Sequence, residues 1–200
     1  MNIVCFDMES VLTPEIWIAF SEVSGIPELR RTTRDEPDYD KLMRWRIGLL
    51  KEHGLGIKEV RDVISNIDPL PGAREFLDKL RRNVQCVILS DTFEEFAGPL
   101  VEKLGMPPIF CNSLVIDDEG FIAAHTMRIS HSKLSAVRAF QSINYDVIAV
   151  GDSYNDLEML NASKAGFLFN STPELKAANP QLTAVDDFDT LYTEIEKTLH

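Results

Sequence analysis

Three short runs of almost wholly apolar residues most constrain what this chain can fold into. They lie at residues 3–6, 84–89 and 147–150, and they are rich in valine and isoleucine. Unbroken apolar runs of this length are typical of strands that are buried on both faces, as in a parallel sheet. Residues 165–169 and 182–185 are two further strand candidates.

Helical patterns separate these strand candidates. In each pattern the apolar side chains recur on one face of a helix. The segments are 72–82, 93–104, 133–143, 156–162 and 187–199. Because strands and helices alternate along the chain, the sequence predicts a doubly wound α/β fold with a mainly parallel, Rossmann-like sheet.

Two stretches interrupt this alternation. Residues 15–66 are charged and helix-patterned, with enough apolar residues for a small helical subdomain. We therefore expect a helical cap at 14–69, inserted into a catalytic α/β core that comprises 1–13 and 70–200. Residues 109–124 carry the segment Asp-Asp-Glu-Gly between two alternating apolar segments, which predicts a β-hairpin.

The charge balance narrows the class of partner. The chain has 20 Lys and Arg against 32 Asp and Glu, a formal net charge of −12. Nucleic acids and anionic membranes bind basic surfaces, so we expect neither as a partner. A phosphorylated small molecule stays open, because a metal ion can supply the local positive charge. The cysteines form no zinc or redox motif, and no signal or membrane-spanning segment is evident, which predicts a cytoplasmic protein.

An acidic or hydroxyl residue stands at or just after the end of each main apolar run. These residues are Asp7, Ser90 and Asp152, with Glu9 and Asp156 nearby. A single acid after a strand is more often a helix cap or a solvated turn. Open α/β sheets, however, bind ligands at the carboxyl ends of their strands, so three such ends indicate a site. Clustered carboxylates repel unless a cation lies between them, and all-oxygen ligands suit Mg²⁺.

Four ordered segments resemble the motifs of the haloacid-dehalogenase superfamily of phosphohydrolases. Asp-Met-Glu-Ser-Val from Asp7 resembles the first motif, Ser90 the second, Lys133 the third, and Gly-Asp-Ser-Tyr-Asn-Asp at 151–156 the fourth. A lone lysine on an amphipathic helix is more often a solvated surface residue, and only the set as a whole favours a site. The predicted cap also lies where the superfamily inserts its helical caps.

The resemblance implies a role for each matching residue. Asp7 would attack phosphorus and become an aspartyl-phosphate. Glu9 would protonate the leaving alcohol and then act as a base toward the acceptor. Mg²⁺ would be held by the Asp7 carboxylate, the Glu9 backbone carbonyl and the Asp152 carboxylate, with Asp156 behind them.

Four further residues would line the phosphate pocket. The resemblance implies that the Ser90 hydroxyl and Lys133 hold the phosphoryl oxygens as charge redistributes during transfer. Asp91 and Asn155 would lie beside them.

Within the superfamily, the chain looks most like the phosphoserine phosphatases. Glu15 matches a carboxylate that this family places near the substrate ammonium, and Arg46 matches the cap arginine that binds the substrate carboxylate. A guanidinium can meet a carboxylate with two hydrogen bonds, so arginine suits this role. Without the family match, both residues are more often charges on the surface of a cap.

The sequence departs from the family pattern at three positions. Glu9 replaces the usual Asp, Val11 the usual Thr, and Asp91 the usual Gly after the second-motif serine. The same Glu occurs in the relatives that also transfer the phosphoryl group to homoserine, which this chain resembles closely. Homoserine is one methylene longer than serine and would use the same Glu15 and Arg46. The resemblance therefore implies hydrolysis of phosphoserine together with transfer to homoserine.

Other functions remain open at this stage. The same chemistry on another small phosphomonoester is the strongest alternative. A second alternative is a receiver-like phospho-signalling module. Such a module normally has no cap, and its lysine follows the acidic residue of its last site strand, whereas here Lys133 precedes Asp152. The third alternative is a protein that binds a phosphorylated ligand without turning it over. We expect small-molecule partners, and a homodimer through an apolar cap surface is left open.

Overall fold

The computed structural model describes residues 1–32, 35–36 and 38–199. The predicted cap also includes Thr33, Arg34 and Pro37, and the predicted core His200, which lie outside the described residues. The strands are β1 (Asn2–Phe6), β2 (Gln85–Phe93), β3 (Ile109–Ile116), β4 (Ile122–Thr126), β5 (Asp146–Gly151), β6 (Ala165–Phe169) and β7 (Thr183–Val185).

In the described ranges, these strands form one sheet in the order β4-β3-β2-β1-β5-β6-β7. The pair β3 and β4 is antiparallel and corresponds to the predicted hairpin, whereas the other neighbouring pairs are parallel. The expected α/β class with a mainly parallel sheet is confirmed.

The topology places β1 at the centre of the sheet. From β1 the chain moves outward through β2, β3 and β4 on one side, and it then returns to β5 on the other side. Such a reversal creates the crevice in which open α/β sheets bind their ligands. The two strands at this switch point end at Phe6 and Gly151, directly before Asp7 and Asp152.

Alternate residues of β1 enter two apolar cores. Val4 and Phe6 belong to the core on one face of the sheet, and Ile3 and Cys5 to the core on the other. Both faces are covered, which is why the run shows no polar alternation. Burial also raises the pKa of the Cys5 thiol to about 12, so this group stays protonated at neutral pH.

The helices pack on both faces of the sheet and over one end of it. They are α1 (Ile16–Ser24), α2 (Tyr39–Glu52), α3 (Ile57–Ile64), α4 (Ala73–Leu80), α5 (Glu94–Lys103), α6 (Ser132–Ser142), α7 (Leu157–Ala162), α8 (Pro173–Ala178) and α9 (Phe188–Thr198). The helices α5, α6, α7 and α9 agree with the predicted helical segments to within a residue, and α4 ends two residues before its predicted end. The helices α1, α2 and α3 lie in the helix-patterned stretch at 15–66, and α8 was not predicted. No helix in the described ranges is both long and apolar enough to span a bilayer.

The helix α8 escaped prediction because its sequence carries little apolar periodicity. Only Leu175 in it is buried. Its start is instead marked by local chemistry: the Thr172 hydroxyl accepts a hydrogen bond from the N–H of Leu175 at 3.3 Å, and Pro173 stands at the first position.

The segment with α1, α2 and α3 leaves the sheet after β1 and returns before α4. The backbone closes on itself there, since the N–H of Leu70 donates to the carbonyl oxygen of Leu12 at 2.9 Å. At its far side, the N–H of Ile57 donates to the carbonyl oxygen of Gly120 in the turn between β3 and β4, at 2.8 Å. The division into a catalytic core at 1–13 and 70–200 and an inserted helical cap at 14–69 stays a prediction.

Candidate active site

Three carboxylates converge at the switch point of the sheet. The N–H of Asp7 donates to the carbonyl oxygen of Val150 at 2.9 Å, so Asp7 continues the ladder between β1 and β5. One carboxylate oxygen from each of Asp7, Asp152 and Asp156 lies within 4.8 Å of the other two. The first and last motifs, which are about 145 residues apart along the chain, thus form one acidic cluster.

Asp156 organises the loop after β5. Its side chain is fully buried, and its Oδ2 accepts hydrogen bonds from the N–H groups of Asp152 at 3.0 Å and Ser153 at 3.2 Å. A side chain at Gly151 would overlap Asp156, so only glycine lets the loop close here. Asp156 therefore positions Asp152 through the backbone.

Lys133 supplies the positive charge in this cluster. Its Nζ lies 2.9 Å from Asp7 Oδ1, 2.6 Å from Asp156 Oδ1 and 4.0 Å from Asp91 Oδ2, and only 4% of the residue is exposed. Burial alone would lower the pKa of this ammonium, but Asp7 and Asp156 raise it above its ordinary value. Lys133 is therefore a buried, charged partner of the acids and no solvated surface lysine.

One lysine does not balance three acids. Burial and then the charge of Asp156 raise the pKa of Asp7 well above its ordinary value, although Lys133 counteracts them. Burial and Asp156 likewise raise the pKa of Asp152 to about 7. A cluster of buried oxygen donors with this excess of negative charge fits a hard divalent cation such as Mg²⁺.

Asp91 joins three of the predicted motifs. Its Oδ1 accepts a hydrogen bond from the Ser132 hydroxyl at 2.9 Å, and its Oδ2 lies 3.5 Å from Asn155 Nδ2. Ser90, directly before it, is buried, and its Oγ accepts from the N–H of Thr92 at 3.2 Å. In contrast to the prediction that the second strand ends before Ser90, β2 continues through these residues to Phe93, with an irregularity in its pairing to β3.

Glu9 reaches away from the acidic cluster toward α1. Its Oε2 accepts a hydrogen bond from the N–H of Ile16 at 3.0 Å. Burial is the main reason that the pKa of Glu9 is raised, and the charge of Glu15 adds to the rise. The hydrogen bond from Ile16 and then the charges of Arg46 and Lys133 oppose this rise in pKa. A carboxyl group whose pKa is raised holds a proton more readily than an exposed glutamate does, which suits a group that must give a proton and take it back.

Arg46 lies buried in the helical segment with 4% of its surface exposed. Its Nη2 donates to the carbonyl oxygen of Arg31 at 2.7 Å, and its Nη1 lies 3.7 Å from the sulfur of Met43. Its buried Nε has no hydrogen-bond partner among the described residues. No carboxylate of a described residue lies within 4.0 Å of this guanidinium. Burial lowers the pKa of Arg46 only to about 10, so the guanidinium stays charged at neutral pH.

Glu15 lies at the start of the helical segment that contains α1, α2 and α3. It immediately precedes α1, and its charge acts, after the effect of burial, on the pKa values of Glu9, Arg46 and Asp152. The structure therefore brings Asp7, Asp152, Asp156, Lys133, Ser90, Asp91 and Asn155 together at the sheet. Glu15 and Arg46 belong to the helical segment with α1, α2 and α3, and Glu9 lies between this segment and the acidic cluster.

Three residues near this site escaped sequence reasoning. Ser132 holds Asp91, and a hydroxyl directly before the third-motif lysine was the available signal. Trp17 lies against Arg46, with Cζ 4.3 Å from the centroid of the ring, but an aromatic residue on an apolar helix face normally indicates core. The pKa of the Tyr39 hydroxyl is raised by burial and then by the charge of Glu9, which places this residue in the field of the site.

Comparison with known proteins gives a consistent family match. The model of the haloacid dehalogenase-like hydrolases matches residues 1–164. Phosphoserine phosphatase ThrH of Pseudomonas aeruginosa is 48% identical over 197 residues, which cover 98% of this chain and 96% of that protein. A phosphoserine phosphatase of Pseudomonas syringae pv. tomato is also 48% identical over 197 residues, covering 98% of this chain and 83% of its own.

Solved structures share the fold. A substrate-bound phosphoserine phosphatase complex superposes with a TM-score of 0.77 at 23% identity, covering 100% of this chain and 98% of the other. A phospho-aspartyl intermediate analogue of phosphoserine phosphatase superposes with a TM-score of 0.74 at 22% identity, covering 93% of each chain.

Proposed function

The chain belongs to the haloacid dehalogenase-like hydrolases, and from that premise we propose that it hydrolyses O-phosphoserine to serine and phosphate through an aspartyl-phosphate on Asp7. We further propose that homoserine can replace water as the acceptor, giving O-phosphohomoserine. The observation that carries the choice of substrate is Arg46, a buried guanidinium without a carboxylate partner among the described residues.

We infer substrate recognition from the charges of Arg46 and Glu15 in the helical segment with α1, α2 and α3. A buried cation without a counter-ion is costly, and an anionic ligand that binds there relieves the cost. The α-carboxylate of phosphoserine fits Arg46, and the ammonium group fits Glu15. Residues 14–69 then act as a cap that reads the amino acid, while the core at 1–13 and 70–200 binds the phosphoryl group.

In the first half-reaction, a carboxylate oxygen of Asp7 attacks phosphorus. The bond between phosphorus and the serine oxygen breaks, and Glu9 gives its proton to that leaving oxygen. The raised pKa of Glu9 supports this role, because the acid must hold a proton before the transfer. Lys133 and the Ser90 hydroxyl interact with the phosphoryl oxygens during transfer.

In the second half-reaction, the ionised Glu9 takes a proton from water or from the hydroxyl of homoserine. The oxygen that loses this proton attacks phosphorus, and the bond between phosphorus and Asp7 breaks. The products are inorganic phosphate or phosphohomoserine, and Asp7 and Glu9 return to their starting states. Orientation and occupancy of the two acceptors decide the ratio of products.

The carboxylates of Asp7 and Asp152 and the backbone carbonyl of Glu9 would hold Mg²⁺. When bound, the ion neutralises negative charge on the acids and the phosphoryl oxygens. Asp156 keeps Asp152 and Lys133 in place, as its hydrogen bonds indicate.

The test is an incubation with Mg²⁺ and phosphoserine, with and without homoserine, in which phosphate and phosphohomoserine are measured together. We expect phosphate release without homoserine and its partial replacement by phosphohomoserine when homoserine is added. Asp7→Asn is the control, and it should lose turnover while it retains binding. Phosphate alone in both samples would remove the transferase activity, and turnover only of other phosphomonoesters would remove the assignment of substrate.

A further inference from the structure

The guanidinium of Arg46 is held in place by few polar contacts. Its Nη2 donates to one backbone carbonyl and its Nη1 touches a thioether sulfur, whereas its Nε has no partner in the part of the chain that the structure describes. A guanidinium binds a carboxylate through two parallel hydrogen bonds more tightly when its plane is fixed beforehand, because less rotational freedom is then lost on binding. The polar contacts of Arg46 do not by themselves fix that plane.

Trp17 provides the missing contact. Arg46 Cζ lies 4.3 Å from the centroid of the Trp17 ring, well inside the range of a cation–π interaction. Arginine stacks on aromatic faces while its edge N–H groups remain free to donate. Trp17 can therefore hold the plane of the guanidinium without using any donor that a substrate needs.

The Trp17 ring is itself held from two directions. It makes an edge contact with Phe96 of α5, at 5.3 Å between centroids and 76° between planes, and a tilted contact with Phe20 of α1, at 6.1 Å. Phe96 and Phe20 are both buried. Since α5 follows β2, the contact with Phe96 ties the indole to the part of the chain that carries Ser90 and Asp91.

We infer that Trp17 is a positioning residue that orients the Arg46 guanidinium for a substrate carboxylate and so contributes to the selection of amino-acid phosphates. This inference rests on the proposed phosphoserine activity. Trp17 lies two residues after Glu15, so the proposed ammonium-binding carboxylate and the residue that orients Arg46 are both at the N-terminal end of α1.

The experiment compares O-phosphoserine with O-phosphoethanolamine, which differs from it only in lacking the carboxylate. The variants are Trp17→Leu, which removes the aromatic face, and Trp17→Phe, which retains a smaller one. Trp45→Leu is the matched control, because Trp45 lies on α2 with its ring 5.4 Å from the guanidinium of Arg31. Thermal unfolding of each variant checks that it is folded at the assay temperature.

We expect Trp17→Leu to raise KM for phosphoserine about tenfold and Trp17→Phe about threefold, with kcat changed less than about twofold. For phosphoethanolamine, kcat/KM should stay within about twofold in both variants, and Trp45→Leu should leave both substrates unchanged. An equal loss on both substrates, or no loss with phosphoserine, would overturn the inference while the wild-type activity upholds the proposed function. A wild-type protein that does not turn over phosphoserine would overturn both.

Discussion

The carboxylate of Glu9 accepts a hydrogen bond from the N–H of Ile16, the first residue of α1, at 3.0 Å. The residue before the helix, Glu15, makes no side-chain capping bond, so Glu9 satisfies a donor that would otherwise be free at the start of α1. The proposed acid and base is therefore tied to the helix that carries Trp17. Asp at this position would be shorter by one carbon–carbon bond, about 1.5 Å, and could not keep the same contact without a backbone shift.

We expect Glu9→Asp to change the ratio of phosphohomoserine to phosphate, because the shorter carboxyl group would approach the two acceptors differently. Its total turnover should fall about tenfold or more, as general acid–base catalysis depends on reach. The products are quantified with phosphoserine as donor and homoserine at a fixed excess. A ratio equal to that of the wild type would remove Glu9 from the choice of acceptor.

The matched variant for this prediction is Glu9→Gln. Its amide oxygen can still accept from the Ile16 N–H, but the group cannot donate and accept the proton in turn. It should lose both activities while its thermal unfolding stays close to that of the wild type. Loss of stability comparable to that of Glu9→Ala would mean that the carboxylate charge, rather than the hydrogen bond, stabilises the start of α1.

The sequence predicted those parts of the structure that depend on local pattern. The apolar runs become β1, β2 and β5 because both faces of each are buried, and the polar residues after β1 and β5 meet at the switch point by topology alone. Contacts between distant segments carry no such pattern. Lys133 of α6 is only 4% exposed and contacts Asp7 and Asp156, which follow β1 and β5 and are far from it along the chain. The spacing of apolar residues likewise gave no sign that Trp17 faces an arginine.

Asp91 and Ser132 should behave as a unit. The Ser132 hydroxyl donates to Asp91 Oδ1 at 2.9 Å, next to Lys133, so we expect this pair to fix the position of the lysine that we propose binds the phosphoryl group. Asp91→Ala and Ser132→Ala should each reduce kcat/KM for phosphoserine, and the double variant should lose less than the sum of the two free energies.

The KM for homoserine separates this role from direct contact with the acceptor. If Asp91 acts through Ser132, both single variants should change this KM alike. A large rise in Asp91→Ala, with Ser132→Ala unaffected, would show instead that Asp91 binds the acceptor ammonium.

Protons and Mg²⁺ should compete for the acidic cluster. Asp152 has an ordinary pKa of 3.8 and a pKa of about 7 in the folded protein, so the folded state holds a proton that the unfolded state releases. Through this group, the metal-free protein loses stability as the pH rises from about 4 to about 7. Mg²⁺ binds the ionised carboxylates, and we expect it to raise the melting temperature more at pH 8 than at pH 5.5.

The control for the metal is Asp152→Ala, which should reduce the response to Mg²⁺ at both pH values. Differential scanning fluorimetry with EDTA and with increasing Mg²⁺ measures the effect. A larger rise at pH 5.5 than at pH 8 would contradict binding at these acids.

Gly56 lets the start of α3 approach the β3–β4 turn. A Cβ on Gly56 would lie 2.8 Å from the backbone oxygen of Gly120, which also accepts from the N–H of Ile57. Because a backbone atom cannot move aside as a flexible side chain can, Gly56→Ala should lower the free energy of unfolding by about 1–2 kcal/mol.

The matched control is Gly48→Ala. Gly48 is exposed inside α2, and nothing lies within 4 Å of its Cβ position. This change should therefore raise the free energy of unfolding by about 0.5–1 kcal/mol. Urea titration measures both, and equal effects would show that the contact with Gly120 carries no strain.

We expect the charge of Arg46 to favour substrate binding and to lower the stability of the ligand-free protein. This charge is buried. Within the described ranges, the Nε of Arg46 has no hydrogen-bond partner and no carboxylate lies within 4.0 Å of the guanidinium, so the free protein bears a desolvation cost that a bound carboxylate would relieve. Arg46→Met keeps an unbranched apolar stem against Met43 and Trp17 and removes the charge. We expect this variant to unfold at a higher temperature than the wild type when no ligand is present, with a gain of about 1 kcal/mol, and to raise KM for phosphoserine far more than KM for an aryl phosphate.

Addition of phosphoserine to Asp7→Asn protein should stabilise it, and the same addition to Asp7→Asn/Arg46→Met protein should have little effect. If Arg46→Met is instead much less stable without ligand, then the contacts with Arg31 and Trp17 already compensate the buried charge, and Arg46 is a structural residue of the helical segment.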